Sequence, residues 1–151
     1  MPGDDNISKE KINMILVPID GSEASLRTAK FAASFARQVN ASVILLHVVT
    51  IPQFPRYFRS LDEYYAKAGK EAQSWIDMIR NLRESRGLAM KAEVMVGAIS
   101  IAESIVGYAE RKNVDMIIIG TRGRSKLEKL VLGSVANGVV THAKCPVLLV
   151  K

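Results

Sequence analysis

Four short runs, 14–19, 42–49, 114–119 and 145–150, are apolar nearly throughout instead of alternating with polar residues. A strand with one wet face alternates. A strand that does not must be covered on both faces, the condition of a parallel sheet between layers of helices. The runs are Met14-Ile-Leu-Val-Pro-Ile19, Ser42-Val-Ile-Leu-Leu-His-Val-Val49, Val114-Asp-Met-Ile-Ile-Ile119 and Cys145-Pro-Val-Leu-Leu-Val150, and Met90 to Val96, which alternates loosely, supplies a fifth strand. Parallel neighbours cannot be joined by a tight turn, so helices must lie between them.

The intervening segments have helical spacing. Ser22 is placed to cap a helix that buries Leu26, Ala29, Ala33 and Ala36, small residues that let a helix approach a sheet closely. Ile51 to Ser60, with Pro52, Pro55 and three aromatics, reads as a loop. Tyr65, Ala68, Ala72, Trp75, Ile79 and Leu82 then mark a long helix from Leu61 to about Arg86, closed by Gly87 as its C′ residue. Ser100-Ile-Ala-Glu103 matches a capping box and opens a helix with Ile101, Ile105, Tyr108 and Ala109 inward. A last helix runs from about Ser134 to Ala143. With right-handed crossovers, the sum is an open, doubly wound α/β domain of five strands with helices on both faces. In such sheets ligands collect outside the carboxyl ends of the strands, where the winding reverses. Asp20 and Gly120 each end a strand on that edge.

A length of 151 residues suits one domain, residues 1–151, in which a hydrophobic core suffices without staples. The single Cys rules out an internal disulfide and fits a reducing compartment. No apolar run approaches the roughly 20 residues of a spanning helix, so no membrane role is expected. Residues 1–11 are polar, do not resemble a signal peptide and read as a flexible tail; a cytoplasmic protein is the expectation. The net charge of +6 raises a nucleic-acid role, but the basic residues are dispersed apart from Arg122, Arg124, Lys126 and Lys129. Aromatics are 6% and do not interleave with them as a base-stacking surface requires.

Gly120-Thr-Arg-Gly123, then nine residues, then Gly133-Ser134 is the most informative pattern. Glycines after an apolar strand let backbone amides approach an anion without a Cβ in the way. The helix opened by Gly133-Ser134 adds its unpaired amides and dipole. Ser134 can act as N-cap and as hydroxyl donor to a phosphate oxygen. Tight turns alone would also account for the glycines. The pattern is not a P-loop, lacking Gly-Lys-Ser/Thr at the required spacing. Nor is there a Gly-x-Gly-x-x-Gly after the first strand.

On the opening Ile15-Leu-Val-Pro-Ile-Asp-Gly-Ser22, the strand Leu45-Leu-His-Val48, the Gly-x2-Gly-x9-Gly-Ser pattern and the closing Cys145-Pro-Val-Leu-Leu-Val150, the chain resembles the ATP-binding branch of the universal stress protein family. The resemblance covers nearly everything after Lys11. It implies an adenine nucleotide alpha hydrolase-like, Rossmann-like sheet in the order 3-2-1-4-5, bound ATP (or AMP or ADP) and a homodimer paired through the final strands. Mg²⁺ or Mn²⁺ would accompany the triphosphate. Carried over by position, Pro18, Ile19 and Asp20 border adenine and ribose, and Val48 addresses the adenine edge through its main chain. Gly120, Gly123, Gly133, Ser134 and Val135 hold ribose and phosphates. Arg122 and Arg124 either screen phosphate charge or are simply solvated. The chain has Gly97-Ala98-Ile99 where the family often has Gly-x-Pro, which loosens a loop beside the ribose.

The implied function is a nucleotide-dependent regulator in stress response, acting on a protein partner the sequence does not name. A slow ATPase in the same cleft and a nucleotide-free interaction module are the alternatives. The glycine segment offers Glu128 as its one acid to activate water, which favours binding over turnover. His47 reads as a packed histidine in a buried strand, His142 as a favourable charge at a helix end, Cys145 as the inert opening of a buried strand, and Trp75 as core filling.

Overall fold

The computed structural model describes residues 11–53, 59–122 and 132–151. Five strands, β1 (Met14–Pro18), β2 (Ser42–Thr50), β3 (Met90–Ala98), β4 (Met116–Gly120) and β5 (Val147–Val150), form one sheet in the order β3-β2-β1-β4-β5. Every neighbouring pair is parallel. The expected doubly wound α/β architecture is therefore the observed one. The tail at 1–10, the centre of the 51–60 loop, and Lys126, Glu128 and Lys129 lie outside the described residues.

β1 holds the middle because it can be apolar on both faces at no cost: Ile15, Leu16 and Val17 are fully buried. Each such side chain contributes roughly 1.5–3 kcal/mol relative to exposure. Odd residues Ile15, Val17, Val43 and Leu45 pack with Ala29, Ala32 and Ala36 of α1 (Glu23–Val39) and Ile76 and Ile79 of α2 (Leu61–Arg80). Even residues Leu16, Ile44 and Leu46 pack on the opposite face with Ile105 and Tyr108 of α3 (Ile101–Arg111) and Ala136 and Val139 of α4 (Ser134–His142). Two helices thus cover each face.

Three local expectations are corrected. α2 ends at Arg80, six residues before the periodicity suggests, because Leu82 turns extended (φ −61°, ψ 146°) and reaches the core from there. A single 3₁₀ turn at Arg83–Ser85 follows, in which Ser85 Oγ donates to the Ile79 carbonyl (2.6 Å). Gly87 (φ +71°) therefore closes that turn and not α2. Next, Gly97 (φ +76°) sits within β3, at a bulge where the pairing with β2 steps from Val49/Val96 to Thr50/Ala98. Finally, β5 starts at Val147, with Cys145 half-buried ahead of it, and it is a half-covered edge whose Leu149 is 38% exposed.

Tyr108 supports one prediction. It is 2% exposed, and its hydroxyl makes no hydrogen bond of ordinary geometry. Burial first, and the Glu93 carboxylate second, push its phenol up to about 12 from 10.0. The folded state thus keeps this proton where the unfolded chain loses it. Its contribution to stability is level below pH 10 and declines between pH 10 and about 12. Tyr108→Phe removes a buried hydroxyl with no hydrogen bond of good geometry, so stability in urea at pH 7 should be unchanged or higher by up to about 1 kcal/mol, with a shallower alkaline decline. A loss of stability at pH 7 would show the hydroxyl to be well bonded.

Candidate functional site

The strand order reverses between β1 and β4, and there the sheet opens. Their register pairs Ile15 with Met116 and Leu16 with Ile117, but β1 stops at Pro18 while β4 continues to Gly120. Ile19 stays against β2 through its amide, which donates to the Leu46 carbonyl (2.9 Å). The resulting cleft of about 510 Å³ is lined by Pro18, Ile19, Asp20, Val48, Gly120, Arg122, Gly133, Ser134 and Val135, among others. Nine of the eleven residues singled out from sequence therefore converge on one place. Gly123 and Arg124 lie outside the described residues.

The turn from β1 into α1 is pinned at successive polar groups. The Asp20 amide donates to Ser25 Oγ (3.3 Å), and the Ser22 amide donates to Asp20 Oδ1 (2.9 Å). Ser22 caps α1 as expected, its Oγ accepting from the Ser25 amide (3.1 Å). Gly21 has φ +78°, and a Cβ there would overlap the indole of Trp75.

Opposite, α4 is fastened to the end of β4. The Thr121 amide donates to the Val150 carbonyl (2.9 Å), and the Gly133 amide donates to the Thr121 carbonyl (2.8 Å). A Cβ on Gly120 would lie 3.0 Å from Thr28 Oγ1 and 3.2 Å from the Arg122 carbonyl, so a side chain would be crowded there. The sequence reading of Ser134 as N-cap is corrected: Gly133 is the cap, without a side-chain hydrogen bond, and Ser134 is the first helical residue. The Asn137 amide closes the first helical bond on the Gly133 carbonyl (2.8 Å). The amides of Ser134, Val135 and Ala136 thus precede any intrahelical partner, and the Ser134 side chain, exposed at the cleft, is not consumed in capping. The other three helices are capped by Ser22, Ser60 and Ser100, and each has an acid in its first turn. Among the described residues α4 has neither a side-chain cap nor a first-turn acid, and its positive end faces the cleft.

Val48 bounds the third side. Along β2 the backbone groups of alternate residues face alternate neighbours, and the Leu46 carbonyl faces β1. Two residues on, the N–H and C=O of Val48 point the same way, where β1 has already turned off. A strand end with a donor and an acceptor side by side suits the edge of a planar heterocycle. Leu46, Ile105 and Ile119 add apolar surface.

The sequence reading missed the contribution of α2. Tyr64, Lys67, Ala68 and Glu71, at i, i+3, i+4 and i+7, line the cleft because this half of the helix rises past the carboxyl edge of the sheet. A polar stripe beside the apolar one (Ala68, Ala72, Trp75) is the sole trace of this in the sequence. The cleft thus combines the cations Lys67 and Arg122 with the acids Asp20 and Glu71. Among the described residues no three His, Cys, Asp or Glu side chains converge as a metal site. No helix among them is long and apolar enough to cross a membrane.

Comparison with known proteins follows the same lines. Residues 11–151 match the Universal stress protein family. The universal stress protein MJ0531 of Methanocaldococcus jannaschii is 35% identical over 142 residues, covering 91% of this chain and 81% of that protein. The solved structure of MJ0577, from the same organism, superposes with a TM-score of 0.77 at 33% identity, covering 93% of this chain and 96% of that one. A universal stress protein from Archaeoglobus fulgidus, solved in complex with dAMP, superposes at 0.67 with 26% identity, covering 93% and 98%.

Proposed function

Because the chain belongs to the universal stress protein family, we propose that its cleft binds an adenine nucleotide, ATP foremost, and that occupancy serves regulation in place of turnover. The observation that carries this reading is the N-terminus of α4 at the sheet's switch point, which has no side-chain cap and no acid in its first turn. An anion there meets amides without intrahelical partners and the helix dipole together. The dAMP complex of the Archaeoglobus relative supports an adenine ligand.

In this reading Val48 reads the base edge through its main chain, Pro18, Ile19 and Asp20 border base and ribose, and Gly120, Gly133, Ser134 and Val135 hold the phosphates. Arg122 screens their charge, and Gly123 and Arg124 complete the phosphate segment. A divalent cation would arrive on the triphosphate oxygens. The half-covered β5, with Leu149 exposed, would pair with a second copy of the chain. The setting is cytoplasmic, and the regulated protein is a separate partner.

Calorimetry with ATP, AMP and ADP, together with mass spectrometry of ligand released on denaturation, tests the reading. We expect one nucleotide per chain. At a hundredfold excess over Kd, binding should add about 2.7 kcal/mol of stability. Phosphate release should remain negligible. No heat, no released nucleotide and an unmoved melting curve would overturn the assignment.

A further inference from the structure

Asp20 is flanked on both sides by a pair of rings that the cleft alone does not require. On one side, His47 Nδ1 lies 2.8 Å from the carbonyl of Ile19, the residue before Asp20. A carbonyl can only accept, so Nδ1 carries the proton; the neutral ring suffices for this bond. On the other side, the Trp75 indole occupies the space that a Cβ of Gly21, the residue after Asp20, would need. The two rings meet edge to face, with centroids 5.0 Å apart and planes at 89°. His47 adjoins Val48 on β2, and Trp75 lies one turn beyond Glu71 on α2.

Resting on the nucleotide reading above, we propose that His47 is a positioning residue: its bond to the Ile19 carbonyl, backed by Trp75, fixes the β1–α1 turn that presents Asp20 to the ligand. The turn cannot shift without moving the imidazole or the indole. Occupancy of the cleft is therefore coupled to α2 through Trp75, the single tryptophan of the chain.

His47→Asn and His47→Leu separate the hydrogen bond from the packing. The two side chains are nearly the same shape, and both lose the ring, but Asn keeps a donor where Nδ1 stood. The first measurement needs no nucleotide: amide exchange at Ser22, whose N–H closes the turn on Asp20. Exchange should quicken about tenfold in the Leu variant, and stay within about threefold of wild type in the Asn variant, for the loss of one hydrogen bond. ATP affinity should follow the same pattern, about tenfold weaker with Leu and largely restored with Asn. Trp75 emission should shift on saturation with ATP in wild type and in the Asn variant. Equal exchange and equal affinity in the two variants would overturn the positioning role, and unmoved emission at saturation would overturn the coupling to Trp75. Should the wild-type protein take up no ATP, the nucleotide reading fails by itself, and the exchange comparison still decides whether His47 holds the turn.

Discussion

Gly21→Ala should lose about 2–5 kcal/mol of stability in urea and most of the affinity for nucleotide. Two independent penalties meet at this residue. Its φ of +78° is left-handed backbone, which an L side chain adopts at roughly 1–2 kcal/mol. Its new methyl would also fall inside the Trp75 ring, which is wedged against His47 and the core and has no flexible end to swing aside. Displacing packed side chains in this way typically costs another 1–3 kcal/mol. Gly87→Ala is the internal control. Gly87 has φ +71° but open space around its Cβ, so only the same backbone penalty applies, about 1–2 kcal/mol. The difference between the two variants isolates the Trp75 contact. If Gly21→Ala costs no more than Gly87→Ala, the indole does not occupy that place. The affinity loss follows because Asp20, the neighbouring residue, moves with the turn.

What was legible in the sequence, and what was not, divides along a physical line. β1, β2 and β4 were readable because burial on both faces erases alternation from the sequence itself. The alanines of α1 were readable because close helix–sheet contact demands small residues at helical spacing. The half-burial of β5 was not, since it depends on which strand ends the sheet, a property of strand order and not of residues 145–150. Leu82 misleads for a related reason: it does reach the core, as its place in the helical period suggests, but through an extended backbone after α2 has ended. Periodicity records which residues are buried, not the path by which they get there.

The cleft divides in the same way. Gly120, Gly133 and Ser134 announce themselves because backbone approach to an anion requires glycine and a small hydroxyl at fixed spacing. The cap of α4 was misplaced by one residue because the Gly133 amide is taken by the Thr121 carbonyl, a contact between segments twelve residues apart. Tyr64, Lys67 and Glu71 were invisible as cleft residues because nothing local says how far α2 extends beyond the sheet. His47 was read as packed, yet the carbonyl it holds belongs to the β1–α1 turn, 28 residues away. Relations between elements, more than the elements themselves, escape a one-dimensional reading.

Ser134→Asp should abolish ATP binding, with affinity falling by more than a hundredfold, while the unliganded protein becomes no less stable. The two effects have opposite signs because the same feature produces both. An acid at the first helical position of an acid-free first turn complements the dipole and adds about 0.3–1 kcal/mol to the apo protein. Placed there, the carboxylate also takes the amides and the field that the phosphates need. Like charges about 4 Å apart repel by roughly 4 kcal/mol at a surface-like dielectric, well beyond the 2.8 kcal/mol that a hundredfold represents. Ser134→Ala removes only the hydroxyl and should weaken ATP about tenfold, the scale of one hydrogen bond to a charged group. Repeating the titrations at high salt should narrow the gap between the two variants, because screening relieves repulsion but does not replace a missing donor. Wild-type affinity in Ser134→Asp would mean that no phosphate sits at the start of α4. A merely unfolded variant cannot mimic the expected result, since the melting temperature must hold or rise as binding disappears.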